Sequence, residues 1–131
     1  MTRAELPVLG AIAAGGVCGS LARYGLAQAF PQHRGGFPWT TLGINTGGCL
    51  LIGVLMVLVA EVWTGRRLLR PFLGVGVLGG FTTFSTYAVE IRQLLGAPGT
   101  ALAYLAGTLV AALLAVYSGA VATRWALRRG R

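Results

Sequence analysis

Four mainly apolar stretches, at about 7–30, 39–63, 69–95 and 100–125, are separated by short polar breaks. Each exceeds the roughly 20 apolar residues that a helix needs to cross hydrocarbon. Pro31 to Pro38 is the first break, with His33, Arg34 and Gly35-Gly36 as turn signals. Arg66, Arg67 and Arg70 mark the second, just past Glu61, and Gly96-Ala97-Pro98-Gly99 the third. Trp39 and Trp63 stand near the two ends of the second stretch, as aromatic belts do at membrane interfaces. The pattern predicts an all-α membrane protein of four transmembrane helices in a single domain spanning residues 1–131. The third stretch is longer than a straight crossing requires, and its middle, Gly79 to Tyr87, holds two glycines, four serine or threonine residues and three aromatics among its nine positions.

Composition agrees with the pattern. Of the 131 residues 55% are hydrophobic and 11% charged, against about 25% charged in an ordinary soluble domain. A chain of this length has room for four spans and little else, so its function belongs inside the membrane or in assembly. The net charge of +8 would suggest nucleic acid in a soluble protein. Here the arginines gather at span ends and connections, where they act as topology signals and headgroup contacts, so no nucleic-acid partner is expected. The first apolar stretch is too long and glycine-rich for a cleaved signal peptide and is read as the first span. Glu5, Glu61 and Glu90 are scattered, Asp is absent, and there is no phosphate loop, so the chain is not expected to be an enzyme. Cys18 and Cys49 form no CxxC motif and are read as small packing residues.

The candidate chemistry lies at mid-span. A helix break at Gly79-Gly80 would release carbonyls such as those of Gly79 and Thr82 toward a cation, while Thr82 or Thr83 would cap the resumed helix and direct its N–H end at the break. Beyond the break, Phe84 and Tyr87 share a face, and their positively polarised ring edges could line an anion path. Asn45, flanked by Gly43, Gly47 and Gly48, is either a hydrogen-bonding brace between helices or an amide donor to an anion. Arg23 is open between snorkelling to the interface and an inward role as a structural pair or at a pore mouth. Tyr104 and Thr108 share one face of the fourth span. The 21 glycines, many in GxxxG register (Gly15/Gly19, Gly43/Gly47, Gly76/Gly80), predict tight helix packing and an oligomer, most simply a dimer. No internal repeat is evident.

In order along the chain, Gly16-x-x-Gly19-x-x-x-Arg23-Tyr24, Thr41-Leu42-x-x-Asn45-x-x-Gly48 and Gly79-Gly80-x-Thr82-Thr83-Phe84-Ser85-Thr86 resemble the CrcB/Fluc family of fluoride channels. The resemblance implies a four-span chain in the inner (plasma) membrane, with the third helix broken at mid-membrane and pairing in a dual-topology antiparallel dimer. It implies a structural sodium ion held by the backbone carbonyls of Gly79 and Thr82 from both subunits. Asn45 and Phe84 would line two fluoride pores, with Thr86, Tyr104 and Thr108 as a polar track and Glu90 near one end; Thr83, Ser85, Tyr87 and Arg23 complete the expected pathway. Tyr87 departs from the family, in which Phe is common at this position. Such a channel has a chemical rationale: hydrogen fluoride enters cells as a neutral weak acid and dissociates inside, so a passive anion path suffices for export under a negative-inside potential.

With the spans so placed, Arg3, Arg66, Arg67, Arg70, Arg124, Arg128, Arg129 and Arg131 share one side, and Arg34 and Arg92 the other. A bias this strong favours a single insertion direction, and hence an inverted partner that is a paralogue rather than a second copy. A proton-coupled exporter of the small multidrug resistance type would need a buried acid in its first span, where Glu5 lies only at the extreme end. A non-conducting partner subunit would leave Asn45 and the hydroxyl-rich stretch without a purpose.

Overall fold

A computed structural model describes residues 5–33 and 35–130; of the arginines in the bias above, Arg3, Arg34 and Arg131 lie outside this set. The described residues are helical apart from their connections. Four segments are long and apolar enough to cross a membrane: Leu6–Ala29, Trp39–Glu61, Arg70–Gly96 and Pro98–Arg129. The first two are single helices, α1 (Leu6–Ala29) and α2 (Trp39–Glu61). The last segment is also one helix and runs to Arg129, a full turn past the expected end at Trp125.

The third segment is composite. A π-helical stretch, Arg70–Leu78, passes into one α-helical turn, α3 (Gly79–Phe81). Thr82 and Thr83 are then extended, with ψ of 156° and 122°, and helix α4 (Phe84–Gln93) follows, ending in a 3-10 turn, Leu94–Gly96. The final helix, Pro98–Arg129, is α5. The expected break does not fall at Gly79-Gly80, since Gly79 keeps right-handed helical angles (φ −66°, ψ −36°) and the helix continues to Phe81. Of the two threonines expected to cap the resumed helix, Thr83 does so, its hydroxyl accepting from the Thr86 amide at 3.2 Å.

The glycines serve contact between helices. A Cβ on Gly76 would sit 2.7 Å from the Ile12 carbonyl oxygen and 2.8 Å from Gly15 Cα, so α1 and the π-helical stretch touch backbone to backbone. Gly19 and Gly80 extend the same seam, and Gly53 and Gly119 form its counterpart between α2 and α5. Hydrocarbon gives helices no hydrophobic reason to associate, so close backbone approach is what holds these pairs. Within the chain the fold is thus two tight pairs, α1 with Arg70–Phe81 and α2 with α5. Gly15/Gly19 and Gly76/Gly80 are satisfied internally and do not call for a partner subunit, whereas Gly43 and Gly47 face open space. Buried side chains are few, and Leu113, Leu114 and Val110 on α5 lie exposed, as lipid-facing residues do.

Candidate functional site

The extended pair Thr82-Thr83 is braced by α2. The Thr83 amide donates to Asn45 Oδ1 at 2.8 Å, and Asn45 Nδ2 donates to the Thr83 carbonyl at 2.9 Å. Asn45 therefore replaces the helical partners of one residue and keeps a second Nδ2 hydrogen to spare. The interruption frees other carbonyls. The helical partner of Gly79 O would be the Thr83 amide, which Asn45 has taken, and that of Thr82 O would be the Thr86 amide, which bonds the Thr83 hydroxyl. The Gly80 carbonyl accepts from Arg23 Nε at 3.1 Å and Ser20 Oγ at 3.4 Å. Arg23 is thus turned inward onto the interruption.

Three cavities lie in series along this stretch. The inner one, about 270 Å³, is lined by Asn45, Thr83, Phe84, Tyr87 and Thr108 together with Cys49. A middle one of about 220 Å³ is lined by Arg23, Thr41, Thr83, Thr86 and Glu90. An outer one of about 110 Å³ lies beneath the first connection, between His33, Gln93 and Glu90. Thr83 belongs to both the inner and middle cavities, and Glu90 to both the middle and outer ones. Two residues therefore link all three.

The polar groups along the series are mostly held in place. Thr83 Oγ1 donates to Thr86 Oγ1 at 3.0 Å and lies 3.3 Å from Ser85 Oγ, although Ser85 itself points outward. Glu90 accepts from Thr41 Oγ1 at 2.7 Å and from the Tyr104 hydroxyl at 2.6 Å. Tyr104 is fully buried, so its hydroxyl anchors the carboxylate rather than standing free on a track. Thr108 differs: it is 6% exposed, its hydroxyl has no hydrogen-bond partner among the described residues, and it lines the inner cavity. An unpaired buried hydroxyl costs about 1–3 kcal/mol, which a polar guest in the cavity would recover.

The aromatics form a run of tilted contacts. Phe84 and Tyr87 have ring centroids 5.8 Å apart, and Tyr87 and Tyr104 5.2 Å. The Tyr87 hydroxyl donates to the Leu105 carbonyl at 2.9 Å, so α5 occupies it. Phe84, at the start of α4, is 80% exposed.

Thr41 and Cys49 are additions to the expected set. Both are a single helical turn from Asn45, so the i, i+4 stripe on α2 was the signal available for finding them. Reading both cysteines as packing residues needs amending, since Cys18 is exposed and Cys49 lines the inner cavity.

Fold and site together define a small multi-pass membrane protein that keeps neighbouring cavities, each bordered by some polar groups, against an irregular stretch of its third span. The chain belongs to the CrcB family: residues 10–120 match the family described as CrcB-like protein, Camphor Resistance (CrcB). It is 54% identical over 129 residues to the fluoride-specific ion channel FluC 1 of Streptomyces coelicolor, covering 97% of this chain and 81% of that protein. It is 56% identical over 126 residues to FluC 2 of Nocardia farcinica, covering 95% and 90%. FluC 2 of Streptomyces avermitilis is 57% identical over 107 residues, covering 80% and 68%. These relatives are named as ion channels, and the family is not enzymatic.

Proposed function

We propose that the chain is a passive, fluoride-selective channel of the plasma membrane, exporting cytoplasmic fluoride through two pores of an antiparallel dimer, with the interruption of the third helix at mid-membrane. The observation that carries this reading is the series of three cavities joined through Thr83 and Glu90. A strongly hydrated anion needs hydrogen-bond donors in place of water, and the series supplies neutral ones: the hydroxyls of Thr86 and Thr108 and the spare Asn45 amide hydrogen. The ring edges of Phe84 and Tyr87 add weak attraction. Weakness is required, because an ion held too firmly does not leave. Arg23 brings a positive charge to the middle cavity, offsetting Glu90, whose carboxylate is occupied by Thr41 and Tyr104. The names of the relatives support fluoride as the ion. Phe84, exposed in the single chain, would reach the pore of the inverted subunit.

The carbonyls of Gly79 and Thr82, deprived of their helical amide partners, fit a structural sodium ion, since neutral backbone oxygens suit a hard monovalent cation. When bound, it would supply the positive charge that ties two subunits at their interruptions. Within the chain, Asn45 keeps the Gly79 carbonyl available by holding the Thr83 amide, and the Thr83 hydroxyl keeps that of Thr82 available by holding the Thr86 amide.

The inverted partner is a paralogue on this reading, or else a second copy. Among the described residues, Arg66, Arg67, Arg70, Arg124, Arg128 and Arg129 stand at one end of the spans and Arg92 at the other. Reporter fusions behind the last helix test this: a single cytoplasmic orientation is expected, and equal populations facing both ways would restore the homodimer.

Fluoride release from liposomes containing the purified protein tests conduction. Wild type is expected to empty the vesicles far faster than protein-free controls. Asn45→Asp removes the donor to Thr83 O and adds a repelling charge, and should slow release about tenfold or more. Phe84→Ile replaces a ring edge by an aliphatic surface and should also slow it. Wild-type release no faster than from empty vesicles, alone and with a paralogue, would sink the channel reading.

A further inference from the structure

Asn45, Cys49 and Ile52 fall at i, i+4 and i+7 on α2, and all three line the inner cavity. Cys49 is partly exposed, and its thiol is the one strong nucleophile among the side chains bordering that space. The cavity wall is largely apolar, with polar groups at Asn45, Thr82, Thr83 and Thr108. Thr108, more than nine-tenths buried, lines it with a hydroxyl that has no partner among the described residues, and Cys49 lines the same space, so water or an ion entering there shares it with the thiol. Cys18 offers the contrast. It is exposed on α1 and borders none of the three cavities in the series.

We infer that Cys49 is a thiol-modification site on the conduction route, accepting small neutral disulfides or thiosulfonates, and that thiolation there closes the route. The inference rests on the channel reading above. A neutral electrophile suits the site, because a path that carries anions disfavours cationic reagents. With methyl methanethiosulfonate the Cys49 sulfur attacks the sulfenyl sulfur, a new S–S bond forms, and the S–SO2 bond breaks. Methanesulfinate leaves, and the thiol proton passes to water. The product, Cys49–S–S–CH3, places a methylthio group in the space bordered by Asn45, Phe84 and Thr108. Thiol–disulfide exchange with dithiothreitol removes it and regenerates the free cysteine.

Wild type, Cys18→Ala and Cys49→Ala are reconstituted, and fluoride release is measured before and after methyl methanethiosulfonate, each variant against its own untreated rate. Peptide mass spectrometry reads the adduct at each cysteine. Wild type and Cys18→Ala are expected to fall to the rate of protein-free vesicles and to recover with dithiothreitol, while Cys49→Ala keeps its untreated rate. An adduct on Cys49 with undiminished release would overturn the inference, as would an unmodified Cys49 beside a modified Cys18, or equal block of Cys49→Ala. If untreated wild type releases no fluoride, the channel reading itself fails and the closure with it; the adduct mass on Cys49 separates that failure from an inaccessible thiol.

Discussion

The two halves of the third span are held by different physics. From Arg70 to Phe81 the chain lies against α1 with Gly76 and Gly15 in near contact, so dispersion between backbones fixes its position. From Phe84 to Gln93 the chain has no buried residue. That half is held by directed bonds: Asn45 at Thr83, Thr41 and Tyr104 at Glu90, and the Leu105 carbonyl at Tyr87. The cavity of about 260 Å³ beside the first half is lined by apolar side chains, among them Leu73, Val77 and Leu78. Those beside the second half carry polar groups such as Asn45, Thr83 and Glu90, which is why the candidate site lies on α4 and not on the π-helical stretch.

The largest expected effect follows from that contrast. Gly76→Leu would force atoms into the Ile12 carbonyl and the Gly15 backbone, where neither neighbour is a flexible side-chain end. The cost should exceed the roughly 1–3 kcal/mol typical of overpacking, because backbone must move. Loss of monodisperse protein in detergent, or a large fall in melting temperature, is the expected result. Gly25→Ala, where a Cβ meets nothing within 4 Å, should be neutral or slightly stabilising. If the two variants melt alike, backbone contact is not what holds the first half.

The same contrast separates what was readable in the sequence from what was not. The four spans were legible because apolar length is a local property of the chain. Asn45 and Thr83 stood out because polar groups in hydrocarbon demand a partner, and the structure makes them partners of each other. The residue at which the helix yields was not legible. Gly79 and Gly80 look like a cap, but glycine also permits close approach, and Gly80 is used that way against Gly16. GxxxG likewise signals contact without saying with what, and Gly15, Gly19, Gly76 and Gly80 meet one another inside the chain. The clamp on Glu90 joins residues 49 and 14 positions away, a relation that only the tertiary arrangement reveals. Cys49 was within reach, because the stripe that contains Asn45 includes it.

A middling effect is expected at the joint between the halves. Thr83→Val keeps the shape of the side chain but removes the hydroxyl that caps α4 and is shared by two cavities. Loss of the cap should cost about 1 kcal/mol in stability. Fluoride release should fall as well, with Thr83→Ser restoring both. Release unchanged in Thr83→Val would remove Thr83 from the route and leave it a purely structural cap.

The smallest effect is expected at Tyr87, whose hydroxyl is one of two that tie α4 to α5, the other being that of Tyr104 on Glu90. Tyr87→Phe deletes the bond to the Leu105 carbonyl but keeps the ring contacts at 5.2 and 5.8 Å. Hydrogen bonds between helices in membranes average about 0.6 kcal/mol, so stability should barely change. Even if the whole of that reached the conduction barrier, release would change by only about threefold. Fluoride-over-chloride preference, read from the reversal potential, should be that of wild type, because the hydroxyl is spent on Leu105 and the ring lines the cavity in either variant. A tenfold fall in fluoride release or a shift in reversal potential would mean that the hydroxyl leaves Leu105 to serve the ion, and α4 would then be loosely tied on the side where it meets α5.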